Sequence, residues 1–119
     1  MENQVLTNEK FSLNISLAVK SLRSDEYEKA YGFIVEAMRI DPNAPHPHNL
    51  LGIMYELKGD GSRARRHYRA AYSLDPTFEP ACRNLEQICT LLDNYKLRTY
   101  DFGDDAVYRG GKREPREIG

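Results

Sequence analysis

The sequence repeats itself at one fixed offset, the separation of Ala30 from Ala64, and this period constrains the fold more than any other feature. Five positions recur at that offset with the same or a similar residue: Ala30 and Ala64, Ala37 and Ala71, Ile40 and Leu74, Asp41 and Asp75, Pro42 and Pro76. The same offset leads from Leu17 to Leu51 and on to Leu85. A fixed period of this kind is the signature of stacked copies of one small unit. The chain should therefore fold as repeats that share a core.

Each copy predicts two helices. In the second copy, Leu51, Gly52 and Tyr55 follow His48 by three, four and seven residues, which places them in one stripe on a helix face. Gly59-Asp60-Gly61 ends that helix, and a second stripe follows at Ala64, Tyr68 and Ala71. Gly52 and the alanines allow the paired helices to approach closely. Asp75-Pro76 ends the second helix, because proline disfavours helical geometry in the preceding residue and lacks an N–H donor.

The other copies follow this plan less completely. The first predicts a helix from about Asn8 to Leu22, and then a second opened by Ser24-Asp25, where Asp25 and Glu28 are spaced as a capping box. A third copy is half present, as one helix that begins near Thr77 and extends to about Lys96. We expect an all-α chain with five parts: a leading segment 1–10, a unit 11–44, a unit 45–78, a capping helix 79–97 and an extended or flexible tail 98–119.

These residues resemble the tetratricopeptide repeat, a helix-turn-helix unit whose length equals this period. Within 45–78 the family pattern is matched by Leu51, Gly52, Tyr55, Ala64 and Pro76, with His48 in place of tryptophan and Tyr68 in place of phenylalanine. The match in 11–44 is weaker. The resemblance implies a helical-hairpin solenoid of two full repeats and a capping helix, whose first helices line a concave groove. It also implies a protein that binds a peptide, a helix or a partner domain there, in a family of which few members have catalytic activity of their own.

The faces of the first helices that the packing stripes leave free are expected to line the groove. They are Ile15, Val19 and Leu22 in the first unit, Asn49, Leu50, Ile53, Glu56 and Leu57 in the second, and Arg83, Asn84 and Gln87 in the capping helix. Such a surface, apolar on one half and polar on the other, fits an apolar or amphipathic segment of a partner. The alternative is that Ile15, Val19 and Ile53 only pack between neighbouring helices.

Charge and hydropathy narrow the range of partners. A formal net charge of −1 argues against a partner selected by bulk charge, such as bare duplex nucleic acid or an anionic membrane. The basic run between Arg63 and Arg69 is interpreted as a solvated helix face, with a phosphate-binding or acidic-partner surface as the alternative. No apolar stretch approaches the length of a membrane span, and the N-terminus lacks the features of a secretory signal. We therefore expect a cytoplasmic protein.

No pattern in the chain indicates catalysis or metal binding. A glycine-rich phosphate loop, a nucleophile elbow and a paired catalytic carboxylate motif are all missing from the sequence. His46 and His48 show no ligand-like spacing to the two cysteines. Cys82 and Cys89 are expected to be buried, reduced thiols about 10 Å apart on one helix, too far for a disulfide. We expect no enzyme activity, no metal and no cofactor.

The tail contains four apolar anchors among aspartates and glycines: Tyr100, Phe102, Val107 and Tyr108. It is either a disordered terminus or a segment that packs on the stack or in the groove of a neighbouring copy. Three functions remain. The first is an adaptor or small chaperone that binds a protein or peptide. The second is a scaffold that self-assembles through the capping helix or the tail, and the third, less favoured, is a nucleic-acid binder using residues 63–69.

Overall fold

The computed structural model describes residues 2–90 and 98–104, and within these residues it contains five α-helices and no strand. The helices are α1 (Glu2–Arg23), α2 (Tyr27–Ile40), α3 (His46–Leu57), α4 (Gly61–Leu74) and α5 (Glu79–Thr90). α1 packs against α2 and α3 against α4, as two helical hairpins. α2 and α1 contact α3, and α5 covers α4 and touches α3. The predicted all-helical architecture is confirmed.

The sequence period is also a period of the structure. Both ends of α4 lie one full sequence period after the corresponding ends of α2. The two hairpin loops make the same 2.8 Å backbone hydrogen bond, from Glu26 N–H to the Ser21 carbonyl and from Asp60 N–H to the Tyr55 carbonyl. The residue before each of these donors has a positive φ, 61° at Asp25 and 89° at Gly59. The two copies therefore adopt one loop geometry.

The second helices contribute buried residues to the core, together with residues of α1 and α3. Ala64, Tyr68 and Ala71 of α4 are fully buried, as are Ala30, Ile34 and Ala37 of α2. Gly52 of α3 faces Tyr68, and a Cβ at this position would lie 2.3 Å from the ring carbon Cε1. Only a residue without a side chain allows α3 to approach the Tyr68 ring this closely.

Several local predictions differ from the structure. α1 begins at Glu2, well before Asn8. The capping box at Asp25 and Glu28 is wrong, because Asp25 is in the left-handed region and Glu26 precedes α2 without a side-chain cap. The α5 helix begins at Glu79, while the Thr77 hydroxyl donates to Asp75 in the preceding loop.

The prediction that both cysteines are buried is also wrong. Cys82 is half-buried and Cys89 is exposed. The predicted end of the capping helix near Lys96 and the anchors Val107 and Tyr108 lie outside the described residues. Among the helices that the structure describes, none combines the length and apolar character needed to cross a membrane.

A buried amide pair and the segment it holds: the candidate functional site

After α5 the chain returns across the first helix of each copy. Residues 98–104, here called the docked segment, form neither helix nor strand. We use the term groove for the surface of α1, α3 and α5 that contacts this segment; it carries Arg23, Asn49, Glu56, Arg83 and Asn84. Of the two packing modes expected for the tail, residues 98–104 adopt the one on the chain's own stack.

Two asparagines bind the backbone of one residue of the docked segment. The Asn84 side-chain carbonyl accepts a 3.0 Å hydrogen bond from the Asp101 N–H, and its NH₂ group donates to the Asp101 carbonyl at 2.9 Å. Asn49 donates to the same carbonyl at 2.9 Å and accepts from Asn84 at 2.8 Å. Both asparagine side chains are fully buried. A primary amide presents donors and an acceptor side by side, so this pair recognises the backbone N–H and carbonyl of one residue irrespective of its side chain.

A buried ion pair fixes the start of the docked segment. Arg98 donates to both carboxylate oxygens of Glu56, at 2.6 Å from Nε and 2.7 Å from Nη2. The exposed fraction is only 5% for the Arg98 side chain and 12% for Glu56, so the pair is largely removed from water. The hydroxyl of Tyr68 donates to Glu56 at 2.8 Å. Burial and the neighbouring Glu56 charge raise the pKa of Tyr68, which keeps its hydroxyl protonated as a donor.

The Asp101 side chain makes two further contacts. One carboxylate oxygen accepts from Arg83 Nη1 at 2.8 Å, and the other accepts from the Gly103 N–H at 3.0 Å. The second bond closes a turn in which Gly103 has a φ of +78°, a conformation that favours glycine. A Cβ on Gly103 would lie 3.2 Å from Cζ of Phe78, so the loop before α5 leaves little room for a side chain.

Two aromatic rings flank Asp101 and pack against the core. Tyr100 and Phe102 are half-buried and contact the main apolar cluster. The guanidinium carbon of Arg23 lies 4.5 Å from the Phe102 ring centroid, and that of Arg98 lies 4.3 Å from the Tyr100 centroid. Both distances are in the range of a cation–π contact. The docked segment is thus held by backbone hydrogen bonds, charges and rings together.

The eleven residues predicted to line the groove fall into two groups. Val19, Leu22, Leu50 and Ile53 are buried members of the core cluster, and Ile15 and Leu57 pack against it. The polar members, in contrast, contact the docked segment: Asn49, Glu56, Arg83 and Asn84, as described above, and Gln87, whose side-chain oxygen lies 3.4 Å from the Thr99 N–H. The structure brings these five together at one surface.

Arg98 and Asp101, the charged contributors of the docked segment, are absent from the groove residues predicted from sequence. One signal was available for Arg98, because Glu56 stands where the first copy has Leu22, and a carboxylate in an apolar repeat position requires a partner. Nothing in the pattern indicated that this partner lies 42 residues away along the chain.

A second cluster joins α3 to α4. The Nδ1 atoms of His48 and His67 lie 3.3 Å apart, and the His67 ring stacks on Tyr55 at a centroid distance of 5.4 Å. Burial lowers the pKa of both histidines, and the neighbouring positive charges lower that of His67 further. Within residues 2–90 and 98–104 no group of three potential metal ligands occurs. In the basic run of α4, Arg63, Arg66 and Arg69 are exposed.

Comparison of the chain with protein-family models, with curated proteins and with solved structures found no match in any of the three.

Proposed function

We propose that this chain is a protein-interaction module of the tetratricopeptide-repeat type, an adaptor or small chaperone that binds a non-helical segment of a partner protein in the groove. The proposal assigns recognition to this surface and no catalysis. One observation carries it: two fully buried asparagines saturate both backbone hydrogen-bonding groups of Asp101.

Burying a polar group without a hydrogen-bond partner costs free energy. An asparagine without a hydrogen-bond partner in a protein interior costs about 1–3 kcal/mol, so two of them are retained only where a polar ligand satisfies them. Here that ligand is a peptide backbone. Any segment that presents an N–H and a carbonyl at the same place supplies the same bonds, whether it belongs to this chain or to another.

Assembly of copies remains the second candidate. The docked segment connects to α5 through residues 91–97, and the same contacts would form if two copies exchanged their segments. This candidate predicts a stable homo-oligomer whose formation depends on residues 98–104. Light scattering over a hundredfold range of concentration separates it from the first candidate, which predicts a monomer.

A display experiment tests the proposed function without assuming a partner. The released chain, defined as the full-length protein with Arg98→Ala, Asp101→Ala and Phe102→Ala, lacks three side-chain anchors of its own segment, so that segment should compete less strongly for the groove. A random peptide library is selected on this protein. The control is the amide-free chain, which is the released chain with the further changes Asn49→Ala and Asn84→Ala.

We expect the released chain to enrich peptides that bind it at least about tenfold more tightly than they bind the amide-free chain, because each lost amide removes backbone hydrogen bonds. Equal enrichment on both proteins, or none on either, would contradict the proposed function. Circular dichroism of both variants verifies that the helices are retained.

A further inference from the structure

The contacts of the docked segment indicate which partner sequences the groove accepts. Building on the function proposed above, we infer that the partner carries the pattern arginine, any residue, aromatic, aspartate, aromatic, glycine. The chain has this pattern at residues 98–103. The docked segment is then an internal competitor that occupies the groove until such a partner displaces it.

The first position requires arginine. Glu56 presents both carboxylate oxygens to one planar guanidinium, in a site where little of either side chain reaches water. A lysine ammonium is a point charge that cannot form the two parallel bonds, and a neutral residue would leave the carboxylate without a cation. Glu56 therefore selects the residue three positions before the aspartate.

The fourth position requires aspartate for two reasons. Its backbone is bound by the asparagine pair, which any residue could satisfy, but its carboxylate accepts from Arg83 and from the Gly103 N–H. Asparagine would keep the turn and lose the charge that pairs with Arg83. Glutamate would keep the charge, but its longer side chain does not form this short turn to the backbone two residues ahead.

The neighbouring positions require two rings and a glycine. Tyr100 and Phe102 pack on the core on either side of Asp101, and Arg23 lies over Phe102. Gly103 follows with a positive φ and with Phe78 close to the position of its missing Cβ. Thr99, in contrast, is exposed, which is why the second position of the pattern is unrestricted.

Tethering determines how strongly the internal segment competes. Seven residues, 91–97, connect α5 to Arg98, and a tether of this length gives an effective concentration on the order of millimolar. A partner segment with the same contacts must exceed that concentration or bind more tightly. The intact chain should therefore bind a free peptide more weakly than the released chain does.

Fluorescence anisotropy with the labelled peptide Arg-Thr-Tyr-Asp-Phe-Gly-Asp tests the inference on full-length proteins. We expect binding to the released chain, at least about tenfold weaker binding to the wild-type chain, and at least about tenfold weaker binding to the amide-free chain. Replacing the peptide arginine by alanine should weaken binding to the released chain at least about tenfold, because Glu56 then loses its partner.

An exchange of charges between the peptide aspartate and Arg83 gives a more specific test. The peptide with lysine in place of aspartate should bind the released chain at least about fivefold more weakly than the original peptide. Arg83→Glu in the released chain should recover part of its binding, because the positions of the two charges are exchanged while the hydrogen bond that closes the turn stays lost. Arg83 is only partly buried, with 38% of its side chain exposed, but the change also removes its ion pair with Glu79. Circular dichroism of the variant verifies that its helices are retained. A milder released chain with Arg98→Ala alone repeats the series if the triple variant does not fold.

The experiments distinguish a failure of the inferred sequence pattern from a failure of the proposed function. If library selection on the released chain yields groove-dependent peptides without the pattern, or if the charge and arginine changes have no effect, the inferred pattern is wrong and the proposed function stands. If the peptide binds the amide-free chain as tightly as the released chain, it binds outside the groove and the inference is overturned. If no peptide of any sequence binds the groove, both fail.

Discussion

At the scale of single residues, the fold depends on positions where a side chain would not fit and on positions where a polar group must be satisfied. Gly52 belongs to the first kind, since the Tyr68 ring occupies the place of its Cβ. Asn49 and Asn84 belong to the second, since they are fully buried and bind one another and the Asp101 backbone. The first kind fixes the distance between α3 and α4, and the second fixes the path of the docked segment.

Two glycine-to-alanine substitutions test this account of helix packing, because they should change the free energy of unfolding in opposite directions. Gly52→Ala should lower the free energy of unfolding by about 1–3 kcal/mol, because the new methyl group collides with Tyr68. Gly32→Ala is the matched control, since Gly32 lies in the interior of α2 with nothing within 4 Å of a new Cβ. It should raise the free energy of unfolding by about 0.5–1 kcal/mol through helix propensity.

Urea denaturation of the three proteins at one pH measures both changes. The packing account would be contradicted if Gly52→Ala were as stable as the wild type. A loss of stability in Gly32→Ala would mean that the exposed face of α2 packs against something else.

At the scale of elements, the two copies offer an internal comparison of helix capping. Glu26 and Asp60 occupy the same position of the two copies and have nearly the same backbone angles, with φ of −96° and −104°. The Asp60 side chain accepts from the Arg63 N–H at 3.1 Å, whereas Glu26 makes no side-chain cap. The shorter aspartate side chain hydrogen-bonds to the N-terminus of its helix, and the longer glutamate side chain does not.

Asp60→Ala should therefore lower the free energy of unfolding by about 1 kcal/mol, and Glu26→Ala by less than about 0.5 kcal/mol. Glu26→Asp should increase stability, because it introduces at α2 the cap that α4 already has. Thermal denaturation followed by circular dichroism measures all three variants. Equal losses for the two alanine variants would show that the Asp60 hydrogen bond contributes nothing to α4.

The sequence was sufficient to predict the helical hairpins because their determinants are local and periodic. Gly52, Ala64 and Ala71 encode close helix contacts at fixed spacing, and each lies where the pattern placed it. The docked segment could not be predicted in detail, because the contact of Arg98 with Glu56 depends on the path of the chain after α5. No periodic pattern encodes such a path.

The apolar half of the predicted groove illustrates the same limit. Helical spacing places Val19 and Ile53 on one side of their helices, but spacing alone does not distinguish a surface that binds from one that packs. In the structure both are buried within the core cluster, together with the neighbouring Leu50. The two hairpins that the structure describes have few other side chains with which to build a core, so these residues contribute to it.

At the scale of the whole molecule, all three histidines respond to pH in the same direction. Burial is the largest cause that lowers the pKa of His46, His48 and His67 from the ordinary value of 6.5. Between the lowered value and 6.5 the unfolded chain binds more protons than the folded chain. The neutral histidines make their full contribution to the free energy of unfolding above pH 6.5. This contribution is lost as the pH falls through their pKa values in the folded chain.

We therefore expect the urea midpoint to decrease from pH 7.5 to pH 5.5. Hydrogen bonds from Thr77 lower the pKa of Asp75 from 3.8. The contribution of its carboxylate to stability is therefore lost only at a pH more acidic than this range. A variant with all three histidines changed to glutamine should show a smaller decrease over the same range. A midpoint that rises on acidification would contradict the neutral, partly buried state of these side chains.

The central claim is that the asparagine pair holds the Asp101 backbone in the groove, and amide hydrogen exchange measured by NMR on the full-length chain tests it most directly. We predict that the Asp101 amide exchanges at least about 100-fold more slowly than in an unstructured peptide. Asn84→Ala should abolish this protection and leave that of Ala64 and Ala71 intact, whereas Asn43→Ala, an exposed control, should change neither. An Asp101 amide that exchanges in the wild-type chain as fast as in an unstructured peptide would contradict the account.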